Sequence, residues 1–176
     1  MEQELLELHH EVNRAIIRCR GVYSAWAKEH HIGYHEMLVF YTIREYGYCT
    51  QKQVCDNYHL PRQTMHNIIS GLREKGFLEM DKTIVRGREK AFVMTEKGRS
   101  YAAPFLESLG NIEIEAARRM GPERIRAMTE LVMEYDKMLE EALQNENKAV
   151  RMTAADVRTE TDELDIQKAE DGGQTP

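Results

Sequence analysis

Apolar and small residues recur at alternating steps of three and four along the N-terminal stretch: Leu5, Leu8, Val12, Ala15, Cys19, Val22 and Trp26. That spacing keeps one stripe on one side of a helix and predicts a helix over residues 4–29, with a seam shaped for a second helix. His30-His31-Ile32-Gly33 breaks it. A second helix is expected over Tyr34–Tyr46, mostly buried because Met37, Leu38, Phe40, Tyr41 and Ile43 crowd into it, and ending near Gly47. Thr50-Gln51-Lys52-Gln53 has the form of a capping box, in which the Thr hydroxyl accepts the N–H three residues on and Gln53 reaches back. It opens a short third helix with Val54, Cys55 and Tyr58 inward. Pro61 then starts a fourth, at a position where a missing N–H is harmless.

Two extended runs, Phe77–Lys82 and Glu89–Met94, flank a turn holding Gly87 and predict a hairpin. Thr95 caps a fifth helix with Tyr101, Phe105, Leu109, Ile112 and Ala116 along one side. Gly121-Pro122 ends it and begins a sixth, where Ile125, Met128, Val132, Tyr135, Leu139 and Ala142 repeat the heptad stripe of the first. Residues 147–176 hold no aromatic side chain and many carboxylates, close on GGQTP, and are expected to be a disordered acidic tail.

The fourth helix asks for a function. Met65, Ile68, Ile69 and Leu72 fall at i, i+3, i+4 and i+7 and fix a buried face. The opposite arc carries Arg62, Gln63, His66, Asn67, Ser70 and Arg73, with no carboxylate before Glu74. Such side chains read base edges and clasp phosphates: Arg on guanine, Gln or Asn on adenine, small hydroxyls on either. A solvated helix face is the bland alternative. Context decides between them. A capped short helix, a tight connection, this helix and a hairpin tipped by Arg86-Gly87-Arg88 make a winged helix-turn-helix.

Composition narrows the picture. The 176 residues carry a net charge of −6, which taken alone argues against nucleic acid. The charge is uneven, however: residues 34–98 hold ten Lys and Arg against eight Asp and Glu, whereas 1–33, 99–147 and 148–176 are each net negative. Three cysteines without paired spacing point to a reducing, cytoplasmic compartment. The acidic start MEQELLELHHEV is unlike a signal peptide, and no run is apolar enough to span a membrane. No Gly-rich phosphate loop, nucleophile elbow or catalytic carboxylate pair is present, so neither enzymatic activity nor a cofactor is expected.

Two stretches, TQKQVCDNYHLPRQTMHNIISGLREKGFLEM and AFVMTEKGRSY, carry a family resemblance. From about Leu5 to Leu143 the chain resembles the MarR family of bacterial transcriptional regulators. Thr64, Met65, Leu72 and Gly76 match the family's reader-helix pattern, and Met94-Thr95-Glu96-Lys97-Gly98 matches the end of its wing and the following cap. At the wing tip Arg86 stands where the family usually shows Asp, Gly87 replaces the first Arg, and Arg88 fits the last. The resemblance implies a mainly α fold: a winged helix-turn-helix with a two-stranded β-hairpin wing, and N- and C-terminal helices that form an intertwined homodimer. The expected layout is a dimerisation helix (1–33), the DNA-binding domain (34–98), dimerisation helices (99–146) and the tail. It also implies sequence-specific binding to a pseudo-palindromic double-stranded DNA operator, with repression as the expected role. Arg62, Gln63, Thr64, His66, Asn67 and Ser70 are expected to read bases or position on phosphates. Arg86 and Arg88 would serve the wing, and Lys52 with the helix start at Thr50 would hold phosphate.

Other readings stay open. In the resembling family small aromatic effectors bind between the dimer helices and the DNA-binding lobe, and Trp26, His30, Tyr34, Met37 and Tyr41 offer an apolar pocket with polar tips. The same residues also read as ordinary core aromatics. Cys19, between Arg18 and Arg20, is either a small core residue or a redox trigger of the kind some family members use. His30, His31, His35 and Glu36 contain part of a metal-ligand set, but Val39 stands where an HExxH motif needs its second His, and no metal site is assigned. The rival from another class is a winged-helix protein-interaction module that does not bind DNA, favoured by the acidic balance.

Overall fold

The computed structural model describes residues 1–171, with side chains through Val150 except that of Ala149. In chain order the elements are α1 (Glu2–Glu29), α2 (Tyr34–Tyr46), β1 (Cys49–Thr50), α3 (Gln51–Tyr58), α4 (Arg62–Glu74), β2 (Leu78–Arg86), β3 (Glu89–Met94), α5 (Glu96–Met120) and α6 (Pro122–Asp171). The fold is mainly helical with a small antiparallel sheet, which makes it a winged helix. Met1–Glu113 and Ile114–Pro176 form two compact units. Among the described residues no helix is long and apolar enough to cross a membrane.

In the first unit the strands lie in the order β1-β3-β2. The pairings run Cys49↔Phe92 on one side of β3 and Leu78↔Met94 on the other. The wing therefore gains a third strand at its base, too short to be seen in the sequence. β2 is also longer than expected, running on to Arg86, because Thr83, Ile84 and Val85 are β-branched and suit an extended chain. The register slips between Asp81 and Arg86, where the Asp81 carboxylate accepts both the N–H and the hydroxyl of Thr83. Gly87, at φ +62°, opens the turn that follows, a conformation that a side chain would disfavour.

The core gathers Phe40, Met37, Val39 and Ile43 of α2, Val54 of α3, and Met65, Ile69 and Leu72 of α4, with Phe105 and Leu109 of α5 behind them. Thr50 caps α3 as expected: its hydroxyl accepts the Gln53 N–H at 3.0 Å, and the Gln53 side chain returns to the Thr50 N–H at 3.3 Å. Thr95 caps α5 in the same manner, taking the Gly98 N–H at 3.0 Å while its hydroxyl donates to the Gly76 carbonyl at 2.6 Å. That second bond ties α5 to the end of α4. The Phe77 and Tyr101 rings stack face to face at 4.2 Å and close the junction.

α1, α2 and α5 meet at one carboxylate. Glu113 accepts from the Tyr41 hydroxyl at 3.4 Å and lies 3.7 Å from the Arg44 guanidinium, whose other nitrogen donates to the Leu106 carbonyl at 2.6 Å. Burial, and then the Glu113 charge, push the Tyr23 phenol up to about 12 from its ordinary 10.0, and they raise Tyr41 as well. Because the folded state holds these phenols neutral, it loses ground where the unfolded chain ionises them. Stability should be intact below pH 10 and fall as pH rises toward about 12. Urea titrations across that window should show Tyr23→Phe losing less stability per pH unit than wild type. Equal slopes would exclude this linkage.

Of all α1, only Ala27 is buried. Leu5, Leu8, Val12 and Val22 of the heptad stripe are exposed, and so is Cys19. The single chain thus leaves open the face on which the sequence places Cys19 as a small core residue.

In the second unit Gly121, at φ +86°, separates α5 from α6, and Pro122 begins the new helix. Met128, Leu131, Val132, Met138, Leu139 and Leu143 stand exposed along α6. The helix does not stop at residue 146. Residues 147–171 carry helical backbone, and 172–176 lie outside the described residues. The cause is local. Between Pro122 and Gly172 there is no glycine or proline, and Ala, Glu, Lys, Arg, Gln and Met are good helix formers even where acidity suggests a solvated coil.

Candidate nucleic-acid interface

The site grows from the amphipathic character of α4. With Met65 and Leu72 fully buried and Ile69 nearly so, the rest of the helix has to face outward. Arg62, His66, Ser70 and Arg73 follow at steps of four, four and three, so they form one stripe down the helix. That stripe is one wall of an open groove of about 460 Å³. Arg88, Glu89, Lys90 and Phe92 of the wing form the other wall, and Gln51 and Lys52 at the start of α3 close one end. Five cations and one carboxylate therefore line a surface with a helix along one side.

Pro61 gives α4 no side-chain cap, so none of the N–H groups of its first turn is taken by a capping side chain. The entry of the helix is fixed instead by Gln51, whose amide donates to the Arg62 carbonyl at 2.8 Å. Gln63 and Asn67 lie on the neighbouring stripe, exposed, with the Gln63 amide donating to Asn67 at 3.0 Å. Thr64 is half-buried beside them.

Not every residue picked from the sequence is available for contact. Thr50 is 2% exposed, and its hydroxyl donates to Glu89 at 2.5 Å while accepting from Gln53. Its side chain is therefore committed inside the protein, and its part in the site is to fix the start of α3. Lys52 reaches the groove but forms an i,i+4 ion pair with Asp56, which raises its pKa and shares its charge. Arg88 lines the groove, whereas Arg86 folds back on Tyr48: its Nε donates to the phenol at 2.6 Å, with the guanidinium 5.0 Å from the ring centre. The two wing arginines thus do different things.

Gln51, Arg73 and Lys90 complete the groove; the sequence placed Arg73 on the outward arc of the fourth helix without giving it a contact, and singled out neither Gln51 nor Lys90. The signal for Lys90 was there, since Lys90 and Phe92 alternate along β3 and share one face of the strand. Arg73 lies one step further along the α4 stripe and sits over the Phe92 ring at 5.6 Å.

The aromatic residues near the first two helices scatter more. Trp26 and His30 stack at 4.1 Å, with His30 Nδ1 2.9 Å from the Trp26 carbonyl. Tyr34 lies under Arg20, Met37 is in the core, and Tyr41 turns to Glu113. Among the described residues one buried side-chain polar atom, Trp26 Nε1, finds no hydrogen-bond partner in the protein. In the histidine segment Glu36 accepts from the Gly33 N–H and from Lys75, and His35 tilts against Tyr34.

No family model matches the chain, and no curated protein matches it by sequence. Solved structures do match it. A MarR family regulator from Neisseria meningitidis aligns over 79% of this chain and 97% of its own, with a TM-score of 0.70 and 24% identity. NadR, solved in complex with 4-hydroxyphenylacetate, aligns over 70% and 91% with a TM-score of 0.61 and 15% identity. BpsR from Bordetella bronchiseptica, whose DNA binding is regulated by 6-hydroxynicotinic acid, aligns over 74% and 98% with a TM-score of 0.56 and 16% identity. At these identities the likeness establishes the fold: this chain has the winged-helix architecture of MarR family regulators.

Proposed function

We propose that this protein is a MarR-type transcriptional regulator that binds double-stranded DNA as a homodimer. One observation carries the reading: the carboxylate-free stripe of α4 faces a wing bearing Arg88 and Lys90 across an open groove. A reader helix beside a basic strand offers donors and acceptors to base edges and cations to the flanking phosphates. In this reading Arg62, His66, Asn67, Gln63 and Ser70 meet bases or nearby phosphates, Arg88, Lys90 and Lys52 hold the backbone, and Arg86 acts from its seat on Tyr48. Residues 34–98 form the DNA-binding lobe, and the exposed stripes of α1 and α6 pair with a second copy. Two lobes related by a twofold axis call for a pseudo-palindromic operator with half-sites about 10 bp apart. Repression follows sterically when such a site overlaps a promoter.

An aromatic acid is the effector class favoured by two of the fold neighbours and by the unpartnered Trp26 Nε1, a donor awaiting an acceptor in an apolar setting. Binding would act by favouring a lobe spacing that no longer fits successive major grooves, since a ligand shifts an equilibrium only through unequal affinity for its two states.

Fluorescence anisotropy with labelled duplex, titrated with salt, tests the DNA reading. Wild type should show a steep loss of affinity with salt, and Arg88→Ala should weaken binding to every sequence alike while lowering the log–log slope by about one phosphate contact per site. An adaptor that binds only proteins would form no salt-sensitive complex with any duplex.

A further inference from the structure

Glu89 is out of place in the groove. It is the one carboxylate among Lys52, Arg62, Arg73, Arg88 and Lys90 on a surface that, in the reading above, meets a polyanion. Nor is it free to swing away. Its Oε2 accepts the Thr50 hydroxyl at 2.5 Å, and Thr50 is itself fixed at the start of α3 by its bonds with Gln53. A hydroxyl has one proton to give, and this one goes to Glu89. The negative charge is therefore held in place beside the reader stripe, with Oε1 available to accept a further bond.

We infer that Glu89 is a specificity-determining residue, a fixed negative charge that penalises every duplex and is offset only where the major groove presents the exocyclic amino group of a cytosine. The inference rests on the DNA-binding reading and deepens it. A carboxylate brought near phosphate is repelled whatever the sequence, so it lowers non-specific affinity throughout. Cytosine N4 is the base-edge donor that a carboxylate accepts from, so a correctly placed C·G pair restores what repulsion removes. Discrimination then comes from a repulsive element as well as from attractive contacts.

The test compares two labelled duplexes about three helical turns long: one of random sequence, and the one that wild type enriches most from the same random pool. Glu89→Gln keeps an acceptor for Thr50 while removing the charge and turning the second oxygen into an amide donor, and equal urea midpoints for the variant and wild type establish that the fold is retained. The variant should bind the random duplex about fivefold tighter, the effect of one unit charge at contact distance in water. Its affinity for the enriched duplex should rise less, so that the ratio between the two narrows. Glu89→Asp, which retains the charge, should keep random-duplex affinity near that of wild type. Random-duplex affinity that is unchanged or lower in Glu89→Gln, or a ratio that stays the same, overturns the inference while leaving the DNA-binding reading standing. If wild type forms no salt-sensitive complex with either duplex, both fall together.

Discussion

Gly98→Ala should remove about 3 kcal/mol or more of stability, the largest effect expected from adding a single methyl group to this chain. A Cβ built at Gly98 would lie 2.0 Å from the Phe77 carbonyl oxygen and 2.9 Å from its carbon, and both are backbone atoms with no rotamer to escape into. Nor can α5 simply lift away. The Thr95 N–H donates to that same carbonyl at 3.0 Å, the Thr95 hydroxyl holds Gly76, and the Tyr101 ring stacks on Phe77. Relief would break the cap and the stack together. Gly71→Ala is the matched control, because it lies inside α4 with nothing within 4 Å of the added carbon. There the lower entropy of the unfolded chain should raise stability by about 0.5–1 kcal/mol. Urea unfolding with an unchanged m value reads both. A Gly98→Ala midpoint equal to that of wild type would show that α5 is not clamped to the end of α4 as described.

The second large effect concerns assembly. Val12 is 43% exposed on α1 and Leu139 is 49% exposed on α6, each in the middle of an apolar heptad stripe that the isolated chain leaves open. Exposed apolar stripes of this length mark surfaces meant to be covered. Val12→Glu combined with Leu139→Glu should give a monomer in sedimentation equilibrium and lower affinity for a two-half-site duplex by about 10²-fold or more, since each lobe would then bind without the effective concentration that its tether to the other supplies. Retained far-ultraviolet helicity and a urea transition near that of the wild-type first unit would separate loss of pairing from unfolding. A double variant that stays dimeric would mean that these faces are not the interface.

Much of this architecture was open to reading because it rests on short-range rules. The Thr50 box, the Thr95 cap, the Gly121-Pro122 break and the buried stripe of α4 each follow from residues within a turn or two of one another. What escaped depends on longer range or on weaker signals. β1 is two residues long and exists only because β3 offers it a partner. The commitment of the Thr50 hydroxyl to Glu89 spans 39 positions, and the hold of Tyr48 on Arg86 spans 38, so neither side chain's role is visible along the chain. Arg73 already stood on the reader arc without being given a contact, and Lys90 could have been found by strand alternation. Over 147–171 two signals pull apart: acidic composition suggests a coil, whereas helix propensity and the absence of any breaker suit the helical backbone.

The groove also shows how an acidic protein can present a basic surface. The charge that matters is the local one, and α4 reaches Glu74 before it carries a carboxylate, while all of the net negative charge lies outside residues 34–98, which are themselves net positive. If the groove binds DNA as proposed, long-range repulsion by that outlying charge would be screened beyond about 8 Å at physiological salt, and contact-range attraction in the groove would not.

The most direct measurement is a methylation and hydroxyl-radical footprint on the duplex that wild type enriches from a random pool. Two α4 stripes entering successive major grooves should protect guanine N7 in two patches about 10 bp apart on one face of the duplex, flanked by backbone protection from the wings. A single patch, or protection confined to the minor groove, would contradict the account.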